Sequence, residues 1–447
     1  MTERTLIKNI SIVNEGQITV ADLLIDDGLI HSIGQLIDHK NVKVVDGTGK
    51  YLFPGIIDGQ VHFREPGLTH KGDLYTESKA AIAGGVTSFI DMPNTFPNVL
   101  TIDILNEKCQ IASKKSLANF GFFLGVNGDN LEYVINLDTS KLLGVSDDGL
   151  YFTRKGNLLA DNPETMEKLF ANCKSIIAIH SEKEQIVEEN ENIYREKYGE
   201  NVPIEFHPLI RSEKACYEAT KRAIDIANKH KARLHILHLT TEAETHLFRN
   251  DIPLKEKNVT TEVSVHHLWF SDKDYKRLGT LIKWNPAIKT EKDKNGLLKA
   301  LLDDRIDIVT TDHAPHTLEE KQKPYFQSMS GAPMVQHSLN IMLEFYKQGQ
   351  ISLEKIAEKM CHNPATLYRI EKRGFIREGY FADLTIIDLN SSWTVSKENI
   401  LYKCGWSPLD GTIFQTKVTH TFVNGNLVYN NGSINEQVKG QALVNSN

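Results

Sequence analysis

Asp58-Gly59-Gln60-Val61-His62-Phe63-Arg64-Glu65-Pro66-Gly67 directly follows the apolar run Tyr51-Leu52-Phe53-Pro54-Gly55-Ile56-Ile57. The apolar run reads as a buried strand. Alternation along extended chain then puts Gln60, His62 and Arg64 on one face. A polar, partly cationic face at the end of a buried strand is a poor core element and a good rim for a site. An edge strand with one wetted side carries the same pattern, so the rest of the chain must decide.

Working outward, short apolar runs recur at 55–63, 87–92, 119–126, 142–147, 175–180, 233–239, 260–266 and 306–311, with amphipathic helical stretches such as 76–83 and 213–229 between them. Roughly eight βα units over about 320 residues is the count for a TIM-like (β/α)8 barrel with insertions. A doubly wound open sheet is the competing architecture, but no GxGxxG follows the first strand. Both chain ends are β-rich, and Asn424-Gly425 between alternating runs signals a hairpin. The expected organisation is a small β-sandwich built from both ends (1–53 and 375–447) around a barrel at 54–374. The segment 182–211, long and charged, reads as a helical insertion or partner surface.

The 447 residues are 40% hydrophobic and 24% charged, the composition of an ordinary soluble α/β protein. A net charge of −7 with no block of like charge argues against nucleic acid as the main partner. No apolar run spans a bilayer and no signal-peptide core opens the chain, so no membrane partner is expected. The five cysteines are scattered and never form a CxxC pair, which suits reduced thiols in a cytoplasmic protein and argues against cysteine ligation of a metal.

Nearly every expected strand ends in a residue able to ligate or move protons: His62, Asn94, Asp147-Asp148, His180, His238, His266-His267 and Asp312-His313. One histidine after a strand is more often a hydrogen-bonded structural residue than a ligand. The same placement around one barrel points elsewhere, because barrel active sites lie at the C-terminal strand ends. Imidazoles with carboxylates suit Zn²⁺ or a similar ion, which activates water near neutral pH. Asp312 could accept a proton from that water and return it to a leaving nitrogen. A Ser/His/Asp mechanism lacks its GxSxG elbow, and no cysteine sits in a nucleophile motif.

Phe53-Pro54-Gly55-Ile56-Ile57-Asp58 leading into Val61-His62-Phe63-Arg64-Glu65-Pro66-Gly67 resembles the dihydroorotases of the amidohydrolase superfamily. Asp91-Met92-Pro93-Asn94-Thr95, Leu237-His238-Leu239-Thr240-Thr241, Trp284-Asn285-Pro286-Ala287 and Thr311-Asp312-His313-Ala314-Pro315-His316 follow in the order such enzymes show, and the resemblance covers nearly the whole chain. It implies a hydrolase interconverting dihydroorotate and N-carbamoyl-aspartate in pyrimidine biosynthesis. It also implies His62, His180 and His238 as metal ligands, and Asp312 as ligand and acid/base. Arg64, Asn94 and His316 would hold a substrate carboxylate, with Asn285 near the ring. A planar guanidinium suits that clamp; a salt bridge from Arg64 to Glu77 is the plainer alternative. A homodimer is usual for such enzymes.

Two positions depart from the family pattern. The His-x-His that opens the usual binuclear site reads Gln60-Val61-His62. Where many members carry a bridging carboxylated lysine, this chain has Ser146, in Val145-Ser146-Asp147-Asp148-Gly149. Asp148 is the expected replacement and Lys155 a more distant candidate, so one or two Zn²⁺ ions are expected. The rival readings are another cyclic amidohydrolase, of dihydropyrimidinase or allantoinase type, and a catalytically impaired paralogue acting through interaction. The latter predicts loss of the proton-moving and substrate groups, yet Asp312, Arg64, Asn94 and His316 are all retained.

Overall fold

Apolar–polar alternation near the N-terminus produces β1 (Thr5–Asn14), β2 (Gln17–Asp26), β3 (Leu29–Gly34), β4 (Lys43–Asp46) and β5 (Tyr51–Pro54) in the computed structural model, which describes residues 4–37, 42–150 and 158–446. The opening stretch then enters β6 (Ile56–Val61). After it come β7 (Val86–Asp91), β8 (Asn119–Phe122), β9 (Leu124–Gly125), β10 (Val145–Ser146), β11 (Ile177–Ile179), β12 (Leu234–Ile236), β13 (Val259–Ser264) and β14 (Ile308–Thr310). Each falls within, or one residue outside, an apolar run that marked it in the sequence.

All neighbours from β6 to β8 and from β9 to β14 pair in parallel. β8 continues into β9 across a kink at Phe123, whose N–H reaches back to the Asp91 carbonyl at 3.1 Å. The ring closes where His62 N donates to the His313 carbonyl at 2.7 Å, beside a parallel bridge of Val61 with His313. Among the described residues this gives the eight positions of a (β/α)8 barrel. Helices such as Leu74–Ala83, Ile102–Lys115 and Glu213–His230 cover the outside with their apolar faces.

The C-terminal part adds β15 (Leu384–Asp388), β16 (Trp393–Thr394), β17 (Ile413–Phe414), β18 (Lys417–Val423), β19 (Asn426–Asn430) and β20 (Ser433–Ile434). One sheet runs β20-β19-β18-β15-β5-β1-β2-β3, with β4 added on β1, so both ends of the chain build the small β domain. The β18–β19 turn places Asn424 and Gly425 at φ 49° and 76°, the double left-handed geometry of a two-residue hairpin. At the junction of the two units Gly55 packs so closely that a Cβ would lie 2.1 Å from Thr87 Oγ1. Asp383 ties the same seam together: it pairs with Arg373 and accepts from Asn119 Nδ2 (3.0 Å) and Asn424 N (2.7 Å).

Beneath the C-terminal strand ends the barrel interior is polar. Asp58 on β6 accepts from Thr311 N (3.1 Å) and Thr311 Oγ1 (2.5 Å), and burial pushes its carboxyl up to about 7 despite those bonds. Glu262 on β13 meets His235 Nε2 at 3.0 Å and Thr310 Oγ1 at 2.8 Å. Asp91 accepts from Phe63 N at 2.8 Å and pairs with the buried Lys108 ammonium at 2.6 Å, fixing the chain between His62 and Arg64. Lys108→Met removes one half of that buried pair. It should lower unfolding stability by about 3–5 kcal/mol in denaturant titrations; a loss below 1 kcal/mol would show that the pair does not anchor the strand end.

Candidate active site

The strand ends deliver their polar residues to one place. His62 and Arg64 follow β6, Asn94 follows β7, Asp148 follows β10, His180 follows β11, His238 follows β12 and Asp312 follows β14. Arg64, His238 and Asp312 have φ of 70°, 35° and 45°. Left-handed backbone is costly for residues with a Cβ and persists where surrounding structure enforces it, commonly at functional sites.

Asp148 is the hub. Its Oδ2 lies 3.2 Å from His62 Nε2, and its Oδ1 lies 3.7 Å from His180 Nδ1 and 3.9 Å from His238 Nε2. Asp312 Oδ1 stands 3.1 Å from His62 Nε2, and His180 Nδ1 stands 3.1 Å from His238 Nε2. Two buried triads share Asp148: Asp148–His180–His238 and His62–Asp148–Asp312, each with its ligand atoms within 4.8 Å of one another. The flanking residues explain this register. Asp147 turns away to accept from Leu159 N (2.7 Å) and His180 N (3.0 Å), while Ser146 Oγ accepts from Asp148 N (3.0 Å). Gly149, at φ 72°, packs where a Cβ would fall 2.1 Å from Asn94 Nδ2. Lys155, the other candidate for the lysine's place, lies outside the described residues.

The donor set fits a divalent ion of zinc type, because buried imidazole nitrogens and carboxylate oxygens converge at one point. Among the described residues Gln60 Oε1 and His238 Nδ1 are buried without hydrogen-bond partners, so the polar network there is incomplete. Electrostatics agree. Burial works against charge on His62, yet hydrogen bonds to Asp148 and Asp312 carry it up to about 10. Burial likewise opposes charge on His180, and Asp148 and Glu182 lift it to about 9. Asp148 also resists its burial and is held well below the ordinary carboxylate range by His180, His238 and His62. Asp312 moves the other way, raised chiefly by burial and also by the Asp148 charge.

The neighbours set ring orientation. His62 Nδ1 donates to Asn94 Oδ1 at 2.8 Å, turning Nε2 toward the carboxylates. His180 Nε2 lies 2.8 Å from Glu182 Oε2, and Glu182 is in turn paired with Arg211. Of the other strand-end histidines, His266 stacks on Trp284 with centroids 4.0 Å apart, His267 Nε2 donates to the Pro286 carbonyl (3.2 Å), and His313 bonds Glu77 (2.8 Å). These three have structural surroundings. Glu77 is thereby engaged with His313, not with Arg64.

A cleft opens above, lined by His62, Arg64, Asn94, Asp148, Gly149, Trp284, Asn285, Asp312, Ala314, Ser330 and Gly331. Arg64 is buried, donates through Nε to the Pro315 carbonyl at 3.1 Å, and among the described residues has no carboxylate within salt-bridge reach. Asn285 Oδ1 accepts from Ser330 Oγ at 3.1 Å. His316, expected at the substrate, stands behind Arg64. Its Nε2 is 2.9 Å from the Ser330 carbonyl and 3.0 Å from Arg64 Nη2, and its Nδ1 is 3.0 Å from Lys71 Nζ. Burial and the two cations push its imidazole well below the ordinary value. A neutral ring that donates to Ser330 and accepts from Lys71 cannot also accept from Arg64.

Glu182, Lys71, Ser330 and two buried lysines were not legible as site residues. Lys283 Nζ donates to the Tyr325 and Ser328 carbonyls, both at 2.6 Å. Lys321 Nζ donates to those of Lys283 (3.1 Å), Met329 (2.8 Å) and Gly331 (2.8 Å). They clamp the loop that carries Ser330 and Gly331. Lys321→Met should lower kcat/KM about 100-fold by letting that loop shift; an unchanged value in a folded variant would remove the clamp from the account.

Residues 51–428 match the family model described as "Amidohydrolase family". The dihydroorotase of Pyrococcus abyssi is 31% identical over 435 residues, 96% of each chain. That of Streptococcus pneumoniae is 32% identical over 440 residues, 95% of this chain and 99% of the relative. The solved L-hydantoinase (dihydropyrimidinase) of Arthrobacter aurescens superposes with a TM-score of 0.90 at 26% identity, covering 99% of this chain and 100% of that one. The barrel, the strand-end cluster of imidazoles and carboxylates and these matches over almost the whole length agree: the chain belongs to the amidohydrolase family.

Proposed function

We propose that this chain, a hydrolase of cyclic amide C–N bonds, is a dihydroorotase: it reversibly opens dihydroorotate to N-carbamoyl-aspartate. The observation that carries this reading is Arg64. A buried guanidinium with no carboxylate partner is costly unless a ligand supplies one, and this one faces the cleft that also holds Asp312 and Asp148. A substrate carrying a carboxylate beside its ring answers that requirement; an uncharged dihydropyrimidine or hydantoin does not. The dihydroorotase relatives support the same choice.

The metal, proposed to be zinc, would be held within the cluster of His62, Asp148, His180, His238 and Asp312, whose two triads share Asp148. When bound, it supplies Lewis-acid polarisation of the ring carbonyl and a water of lowered pKa. The chain's own groups do the rest. Arg64 clamps the substrate carboxylate together with Asn94, and Asn285, which accepts from Ser330, borders the ring. His316 packs behind Arg64, its Nε2 3.0 Å from Arg64 Nη2. Asp312 accepts a proton from the attacking water as the carbonyl C–O bond forms, then passes it to the ring nitrogen as the C–N bond breaks. The same proton runs backward during cyclisation. Its carboxyl is suited to this because burial, and then the Asp148 charge, raise it above the ordinary carboxylate value.

The fold likeness to a hydantoinase favours one alternative, a cyclic amidohydrolase acting on uncharged rings. Comparing kcat/KM for dihydroorotate and hydantoin separates the two. A preference for dihydroorotate of at least about 100-fold, the scale of one satisfied buried charge, is expected. Preference for hydantoin would overturn the assignment.

A further inference from the structure

If the site is metal-dependent, as proposed above, its two triads are not equal. Asp148–His180–His238 supplies two imidazoles and a carboxylate oxygen, the mixture zinc prefers. His62–Asp148–Asp312 supplies one imidazole and two carboxylates, and the side chain that should complete it is Gln60. Gln60 is fully buried on β6 and donates through Nε2 to Asp148 Oδ2 at 3.0 Å. That N–H points at the very oxygen a second cation would need. Turning the amide over would lose the bond and set two oxygens against each other unless a cation intervened, and an amide carbonyl is a weaker zinc ligand than imidazole.

The surroundings favour the same triad. His180 is backed by the Glu182 carboxylate at 2.8 Å, itself anchored by Arg211. His62 is backed only by the neutral Asn94 amide. A carboxylate behind an imidazole raises its basicity as a ligand and typically changes metal affinity 10–100-fold. We propose that the chain binds a single tightly held divalent ion at Asp148, His180 and His238, with Gln60 setting that count and leaving Asp312 free to carry protons.

Metal analysis after equilibration with limiting zinc, together with calorimetric titration, tests this without reference to turnover. One equivalent per chain is expected in the wild type and in His62→Asn, none in His238→Asn, and two in Gln60→His. Glu182→Gln should weaken the single site about 10–100-fold. Two equivalents of matched affinity in the wild type, or loss of the ion from His62→Asn, would overturn the proposal. So would Gln60→His holding one ion while its circular dichroism matches the wild type. A wild type that binds no zinc, but still turns over dihydroorotate, would refute the metal reading while sparing the substrate assignment.

Discussion

Asp312→Asn should lower kcat in both directions by about 10²–10⁴-fold, the range for removing a positioned acid/base, with KM nearly unchanged. The amide keeps the shape of the carboxyl but cannot take or give the proton. Asp312 is held by the closure of β14 on β6, in left-handed backbone at φ 45° and 3.1 Å from His62 Nε2. Because the retained ion is assigned to the other triad, zinc content should survive the substitution. This separates proton transfer from metal loss. A variant with full zinc and more than about a tenth of wild-type kcat would place the proton carrier elsewhere.

Arg64→Met should cost dihydroorotate about 2–5 kcal/mol of transition-state binding, which is about 30- to several-thousand-fold in kcat/KM. Activity on hydantoin, low to begin with, should change by less than about threefold. The contrast is the essential part. Removing a guanidinium that merely supports the fold would harm both substrates equally. Arg64→Lys restores the charge without the planar fork and should recover only part of the loss.

The barrel was readable because nearly every strand is a short apolar run closed by a polar residue, and the hairpin because Asn-Gly sits easily with two positive φ angles. His62, His180, His238 and Asp312 were readable for a related reason: position after a strand fixes where a side chain emerges. Asp148 was harder. Adjacent aspartates are indistinguishable in sequence, and only tertiary hydrogen bonds from Leu159 and His180 turn Asp147 away from its neighbour's site. Strand alternation set Arg64 on the face of Gln60 and His62, but its φ of 70° shows that alternation had already ended there. His316, expected at the substrate, lies against Arg64 with its ring between Lys71 and the Ser330 carbonyl, tertiary neighbours that no linear pattern reveals. Glu182 owes its anchoring to Arg211, and Lys283 and Lys321 owe their roles to backbone carbonyls in loops with no periodic pattern, for which a linear reading offers no signal.

The central claim is that this site performs carboxylate-directed, metal-dependent ring chemistry. It is tested most directly by adding one equivalent of zinc to the metal-stripped chain and following N-carbamoyl-aspartate cyclisation to dihydroorotate. Negligible activity before addition and saturation near one equivalent are expected. Turnover in the stripped protein, or a folded zinc-loaded protein with no cyclisation in either direction, would contradict it.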